Sequence, residues 1–172
     1  MANTLIKKSP ELLFLTYLLC IPNAASETIS IQVSADNGST IHTKQALKEN
    51  ALSDGNEAIY IKMAPNQFQA IKCEGPWGAI KYKKPMIEGP GFKLYQNDQQ
   101  LIIQVIEHRV ISADIVINSM DIQCIDTEPK QTINSIAEIV IERSISSEET
   151  LVFDNGYKLS YQYFIIEKDN KN

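Results

Sequence analysis

Alternation of apolar and polar positions dominates the chain from Thr28 onward. Thr28–Val33 sets Ile29, Ile31 and Val33 against Thr28, Ser30 and Gln32, the two-residue period of a strand with one buried face. Further β-rich runs occupy Glu57–Met63, Gln67–Cys73, Ala79–Tyr82, Phe92–Tyr95, Gln100–Glu107, Val110–Asn118, Asp121–Ile125, Ile133–Glu142, Thr150–Phe153 and Tyr157–Glu167. Their density of Ile, Val, Tyr and Phe, spaced by polar or Gly/Pro turns, predicts an all-β fold. We expect a mainly antiparallel β-sandwich, immunoglobulin-like or jelly-roll-like. At most one short helix is expected, within Thr43–Leu52, where Ala46, Leu47 and Ala51 share a face. Thr127-Glu128-Pro129-Lys130 and Ser144–Glu149 read as loops.

Turn chemistry agrees with the strand pattern. Asp36-Asn37-Gly38 and Asp154-Asn155-Gly156 each place Asn-Gly between strand-like runs, and both residues tolerate the positive φ that tight hairpins demand. Around the second turn, Leu151, Val152 and Phe153 enter while Tyr157, Leu159, Tyr161 and Tyr163 leave in alternation. These aromatic and apolar residues are expected in the core. The Asp36-Asn37-Gly38 turn is expected to fold the strand Thr28–Val33 back onto Ser39–Thr43 rather than leave it free to join another molecule's sheet.

The first 26 residues follow a different rule. Lys7 and Lys8 precede the run Leu12–Ile21, apolar except for Thr16, and Pro22-Asn23 ends it before Ala24, Ala25 and Ser26. That is the layout of a secretory signal peptide, with cleavage expected between Ser26 and Glu27. A helix of about ten residues rises roughly 15 Å, half the ~30 Å of a bilayer's hydrocarbon core, so it makes a poor permanent span. The expected organisation is therefore a signal peptide over residues 1–26 and one β-sandwich domain over 27–172, placed in the periplasm or secreted.

Removing Lys7, Lys8 and Glu11 leaves 14 basic and 20 acidic residues, a net charge of 14 − 20 = −6. An acidic chain has no general electrostatic attraction to nucleic acid or to anionic lipid. No membrane span is expected after signal removal. Of three cysteines, Cys20 leaves with the signal, and Cys73 and Cys124 lack metal-ligand spacing. In an oxidising compartment the pair is expected to form one disulfide. Closing a loop of about 50 residues contributes roughly 4 kcal/mol in the chain-entropy account.

The most irregular stretch, Cys73–Phe92, holds four of the seven glycines, three of the seven prolines and the single tryptophan. Trp77, Lys81, Tyr82, Lys83 and Lys84 form the candidate partner-binding surface, since aromatic and basic groups recur at interfaces. The same lysines and prolines also suit an edge strand that resists aggregation, and this structural role is favoured. Catalytic signatures are weak. His42 and His108 are the two histidines, 66 positions apart, and no metal site, cofactor motif or nucleophile elbow surrounds them. His108, between Glu107 and Arg109, reads as a solvated strand end.

These features suggest an exported protein that acts without catalysis, by binding a protein partner in the cell envelope or outside the cell, with strand addition as one route. Two other classes remain open: a small secreted hydrolase using carboxylates or His108 in a cleft, and an inhibitor presenting Glu88–Phe92 as a rigid loop. An enzyme should show converging titratable groups in a concavity. A binder should show an exposed edge or an apolar patch.

Overall fold

A computed structural model describes residues 26–47, 58–74, 78–119 and 122–166. The proposed signal segment up to residue 25, Trp77 and the tail Lys168–Asn172 lie outside these residues. Ten strands follow one another: β1 (Ser26–Ser34), β2 (Thr40–Leu47), β3 (Ile59–Lys62), β4 (Asn66–Glu74), β5 (Gly78–Met86), β6 (Gly89–Gln96), β7 (Gln100–Ser119), β8 (Ile122–Glu142), β9 (Ser147–Val152) and β10 (Lys158–Ile166). They form a four-stranded sheet, β2-β1-β10-β9, and a six-stranded sheet, β3-β6-β7-β8-β4-β5, in which every pairing is antiparallel. The two pack face to face as the all-β sandwich that the alternation predicts.

The core draws on both sheets. Ile29, Ile31, Val33, Ile41, Tyr157, Leu159, Tyr161 and Tyr163 meet Phe92, Leu94, Leu101, Ile103, Val105 and Ile141. Tyr157, Leu159, Tyr161 and Tyr163 are thus core residues, as their alternation after the Asn-Gly turn implies. Both Asn-Gly turns are closed identically. Gly38 and Gly156, at φ 81° and 80°, donate from N–H to the carbonyls of Ala35 and Phe153 at 3.0 and 2.9 Å. The register Ser34↔Lys158 sets the turns side by side, and a Cβ on Gly156 would collide with the Asp36 carboxylate. β1 lies between β2 and β10, so its edge is satisfied within the molecule.

At the opposite end, buried Arg143 donates from Nε to Glu27 at 2.9 Å and also bonds the Asn97 carbonyl, while Tyr163 Oη donates to the Arg143 carbonyl at 3.0 Å. These bonds tie the start of β1 to the β6–β7 and β8–β9 turns. Burial and the Glu27 carboxylate push the Tyr163 hydroxyl up to about 12.

Four expectations require correction. Thr43–Leu47 belongs to β2 rather than to a helix, and residues 48–52 lie outside the described part. The open side of β1 supplies main-chain partners from Glu27↔Leu47 to Ser34↔Thr40, which a single short helix has no means to outweigh. Gln100–Glu107 and Val110–Asn118 are one strand, β7, and the described part of Asp121–Ile125, from Ile122 onward, is one strand with Ile133–Glu142, β8. Thr127-Glu128-Pro129-Lys130 is likewise part of β8: Glu128 and Lys130 are exposed on one face while Thr127 is half-buried and Pro129 buried on the other, the alternation of a strand and not a loop. Pro129 is tolerated there because β8 has a regular ladder with β7 and only one register pair, Ile71↔Thr127, with β4. Within Ser144–Glu149, the last three residues open β9.

Candidate protein-binding surface

The six-stranded sheet is longer than the sheet that covers it. β7 and β8 pair from Gln100↔Glu142 to Ser119↔Ile122, and a strand of 20 residues spans roughly 65 Å. Core residues on β7 end at Val105, and β4 and β5 contribute none. Tyr157, next to the turn that ends the four-stranded sheet, marks the limit. Burial and the adjacent Glu107 carboxylate push its hydroxyl up to about 12. Beyond this level the described residues form a single layer, β7-β8-β4-β5, in which Ala70, Met86 and Pro129 are buried outside the main core.

His108 sits at the boundary and overturns its reading as a solvated strand end. It is 2% exposed, on the face of the sheet opposite the core, where Gly91 leaves room for it: a Cβ there would come within 3.0 Å of Nε2. Gln131 donates from Nε2 to His108 Nδ1 at 2.9 Å and to the Ile87 carbonyl at 3.1 Å. Both amide protons are then committed, so the neutral ring carries its own proton on Nε2 and donates to Tyr60 Oη at 2.8 Å. Burial first, and then the charge of Lys62, push the His108 pKa below its usual value. The network joins β3, β7, β8 and the β5–β6 connection at Ile87, but no carboxylate is hydrogen-bonded to the ring among the described residues. It resembles a structural staple more than the acid–base pair of a hydrolase.

The single-layer half has two free edges, and they differ in chemistry. The first is β5, which carries Lys81, Tyr82, Lys83 and Lys84. Lys81 and Lys83 point to one side, and Ile80, Tyr82 and Lys84 to the other, with Lys84 paired to Glu128 at 2.9 Å. The structure therefore places these four candidate residues together on an edge strand. The disulfide forms between Cys73 on β4 and Cys124 on β8, with Cα atoms 6.1 Å apart. It fastens the β4–β5 hairpin where the main-chain ladder nearly fails.

The second edge was not singled out from the sequence. β6 begins at Gly89, opposite His108, so Arg109–Ser119 of β7 has β8 on one side and no strand on the other among the described residues. Ile111, Ile115, Val116 and Ile117 are 44%, 62%, 51% and 38% exposed there. The signal was present in Val110–Asn118 as apolar residues on both faces of one strand, a pattern that periodicity normally assigns to a buried strand. Here it is found on a bare edge.

Two features bear on the other functional classes. Glu88–Phe92 does not project: Gly89–Phe92 is the buried start of β6. On the outer face of the four-stranded sheet, Ser30 Oγ and His42 Nε2 lie 3.1 Å apart in an open, polar depression of about 510 Å³ that also includes Glu148, Glu149 and Gln162. Glu148 and Glu149 accept hydrogen bonds from Gln162 and Tyr161, and neither reaches His42. No known family model, curated protein or solved structure matches the chain.

Proposed function

We propose that this chain is an exported, non-catalytic binding protein of the cell envelope or extracellular space, which receives an extended polypeptide segment on the free edge of β7. The observation that carries this reading is Arg109–Ser119, an edge of eleven residues with no partner strand on one side among the described residues and four exposed aliphatic side chains. An incoming strand gains hydrogen bonds along such an edge while its alternate side chains cover Ile111, Ile115 and Ile117 on one face and Val116 on the other. The lysines of β5 serve the opposite purpose, repelling unspecific pairing at the second edge. Export is supported by the signal-like residues 1–26 and by the Cys73–Cys124 bridge, which is at home in an oxidising compartment.

The test uses tagged mature protein, residues 27–172, with an extract of the source cell's envelope or medium. A partner recovered by the wild type and lost with Ile115→Lys supports the reading; equal recovery by both removes the β7 edge as the binding site. Intact-mass analysis of native material tests export separately. The expected species begins at Glu27 and carries no alkylatable thiol.

A further inference from the structure

Taking the β7 edge as a strand-accepting site, we infer that its occupant is the same edge of a second copy, Arg109–Ile117 against Arg109–Ile117, antiparallel about a two-fold axis through Ala113. The argument begins with symmetry. An axis normal to the sheet brings an edge antiparallel to itself and keeps each face matched to its own kind, so opposed residues are separated by an even number. The axis must therefore pass through a residue, and the central choices are Ala113, Asp114 and Ile115.

Side-chain chemistry separates them. Centring on Asp114 sets two carboxylates directly opposite one another, which is unfavourable across a strand pair. Centring on Ile115 sets Asp114 against Val116 on both sides of the axis. Centring on Ala113 places the smallest side chain of the segment at the axis, Ile111 against Ile115 on one face, and Val110 against Val116 on the other. Ser112 then faces Asp114 of the other copy. Within one chain the Ser112 hydroxyl already bonds the Asp114 carboxylate, so the two groups are compatible partners. The same register ends where the edge ends. Arg109 is the first residue past the β6 ladder and opposes Ile117; one position further, residue 118 would meet Gly89, which already occupies the side of His108.

The pattern thus fits its own copy, and the segment has none of the lysines or prolines that occupy β5. Val110–Asn118 contains one charged residue, Asp114, and the Ala113 register leaves it opposite a hydroxyl. The two six-stranded sheets would join into one continuous sheet through their single-layer halves. The four-stranded sheets remain outside the contact.

Sedimentation equilibrium of the mature protein at pH 7.5, up to about 1 mM, where even a weak dimer of −4 kcal/mol is half formed, tests the inference. Reversible dimerisation is expected, with Ile115→Lys raising the dissociation constant at least about tenfold, equivalent to about 1.4 kcal/mol. Far-ultraviolet circular dichroism and the melting temperature check that this exposed substitution leaves the fold intact. Ala113→Cys reports the register independently: its thiols should join two chains under oxidation or a short bifunctional maleimide, whereas Asp114→Cys should not. A monomer at every concentration overturns the inference, as does a dimer indifferent to Ile115→Lys or cross-linked equally well from both positions. A synthetic peptide of residues 109–117 keeps the two readings apart. If the wild type stays monomeric yet binds that peptide and Ile115→Lys does not, self-pairing falls while strand addition at β7 stands; if neither occurs, self-pairing falls, and strand addition by another polypeptide is decided by partner recovery with Ile115→Lys.

Discussion

The two-layer half and the single-layer half are built from the same two strands, β7 and β8, yet they are held together differently. Below Val105, β7 is one wall of a core in which Phe92, Ile103, Leu159 and Tyr163 are closed off from water. Above His108 the same strand carries as many aliphatic residues and buries few of them. The distal half relies on main-chain ladders, the Lys84–Glu128 pair and the disulfide. Dependence should therefore run one way. The distal half is an extension of strands that the sandwich organises, whereas the sandwich has its own core without it.

The largest expected effect breaks both halves together. Phe92→Ala removes a fully buried ring and should cost about 3–5 kcal/mol. In urea, protection of β7 amides from hydrogen exchange should fall together above and below His108. Retained protection in Val110–Asn118 alone would show that the distal half stands by itself.

Next comes the disulfide, whose loss should separate the halves. With Cys73→Ser and Cys124→Ser, up to roughly 4 kcal/mol of chain-entropy stabilisation disappears from a region with one β4–β8 register pair. Mass-resolved hydrogen exchange should show β4 and β5 opening while β1, β6 and β10 stay protected. Uniform loss across all strands would contradict the proposed hierarchy.

A smaller effect should come from the boundary. The His108 pKa is lowered in the folded chain from 6.5, so on acidification the unfolded chain takes up the proton first. The contribution of this residue is complete above pH 6.5 and declines as pH falls through the folded value. Protonation would also put a proton on Nδ1, against the amide of Gln131. Exchange in β3 and at Gly89–Phe92 should accelerate below pH 6.5. His108→Ala should abolish that pH dependence while costing about 1–3 kcal/mol, because Gln131 loses its buried partner. An unchanged pH profile in the variant would assign the dependence to other groups.

The smallest effect on stability falls at the bare edge. Ile115→Ser should shift unfolding by no more than about 0.5 kcal/mol, since the side chain contributes nothing to the core. A destabilisation above that range, measured in urea, would mean that Ile115 is packed within its own chain and that the edge is not available to a partner.

Much of this could be read in advance, and the misreadings share a cause. Period-two alternation identifies a strand and its buried side without reference to neighbours, which is why β1, the two Asn-Gly turns and the tyrosines of β10 were legible. Cys73 and Cys124 were legible as a pair because no other sulfur was left for either. His108 was misread because its partners, Tyr60 and Gln131, come from 48 positions before and 23 after. Thr127–Lys130 reads as a loop from its polarity and its proline, yet it alternates as a strand does, because the sheet covers Thr127 and Pro129 where no aliphatic side chain marks the buried face. Trp77 lies outside the described residues, whereas the other four residues of that candidate surface were brought together on one edge.

The amino-acid order by itself determined which segments extend, where the tight turns fall and which two sulfurs join, because these depend on side-chain period, on positive φ and on residue count. Only the tertiary structure decided that β4 and β5 attach beyond the reach of the four-stranded sheet, that β6 begins no earlier than Gly89, and that the second half of β7 is left with a bare edge. Those outcomes depend on relative strand lengths and on sheet order. Both are set by contacts between residues far apart along the chain, and local periodicity carries no record of them.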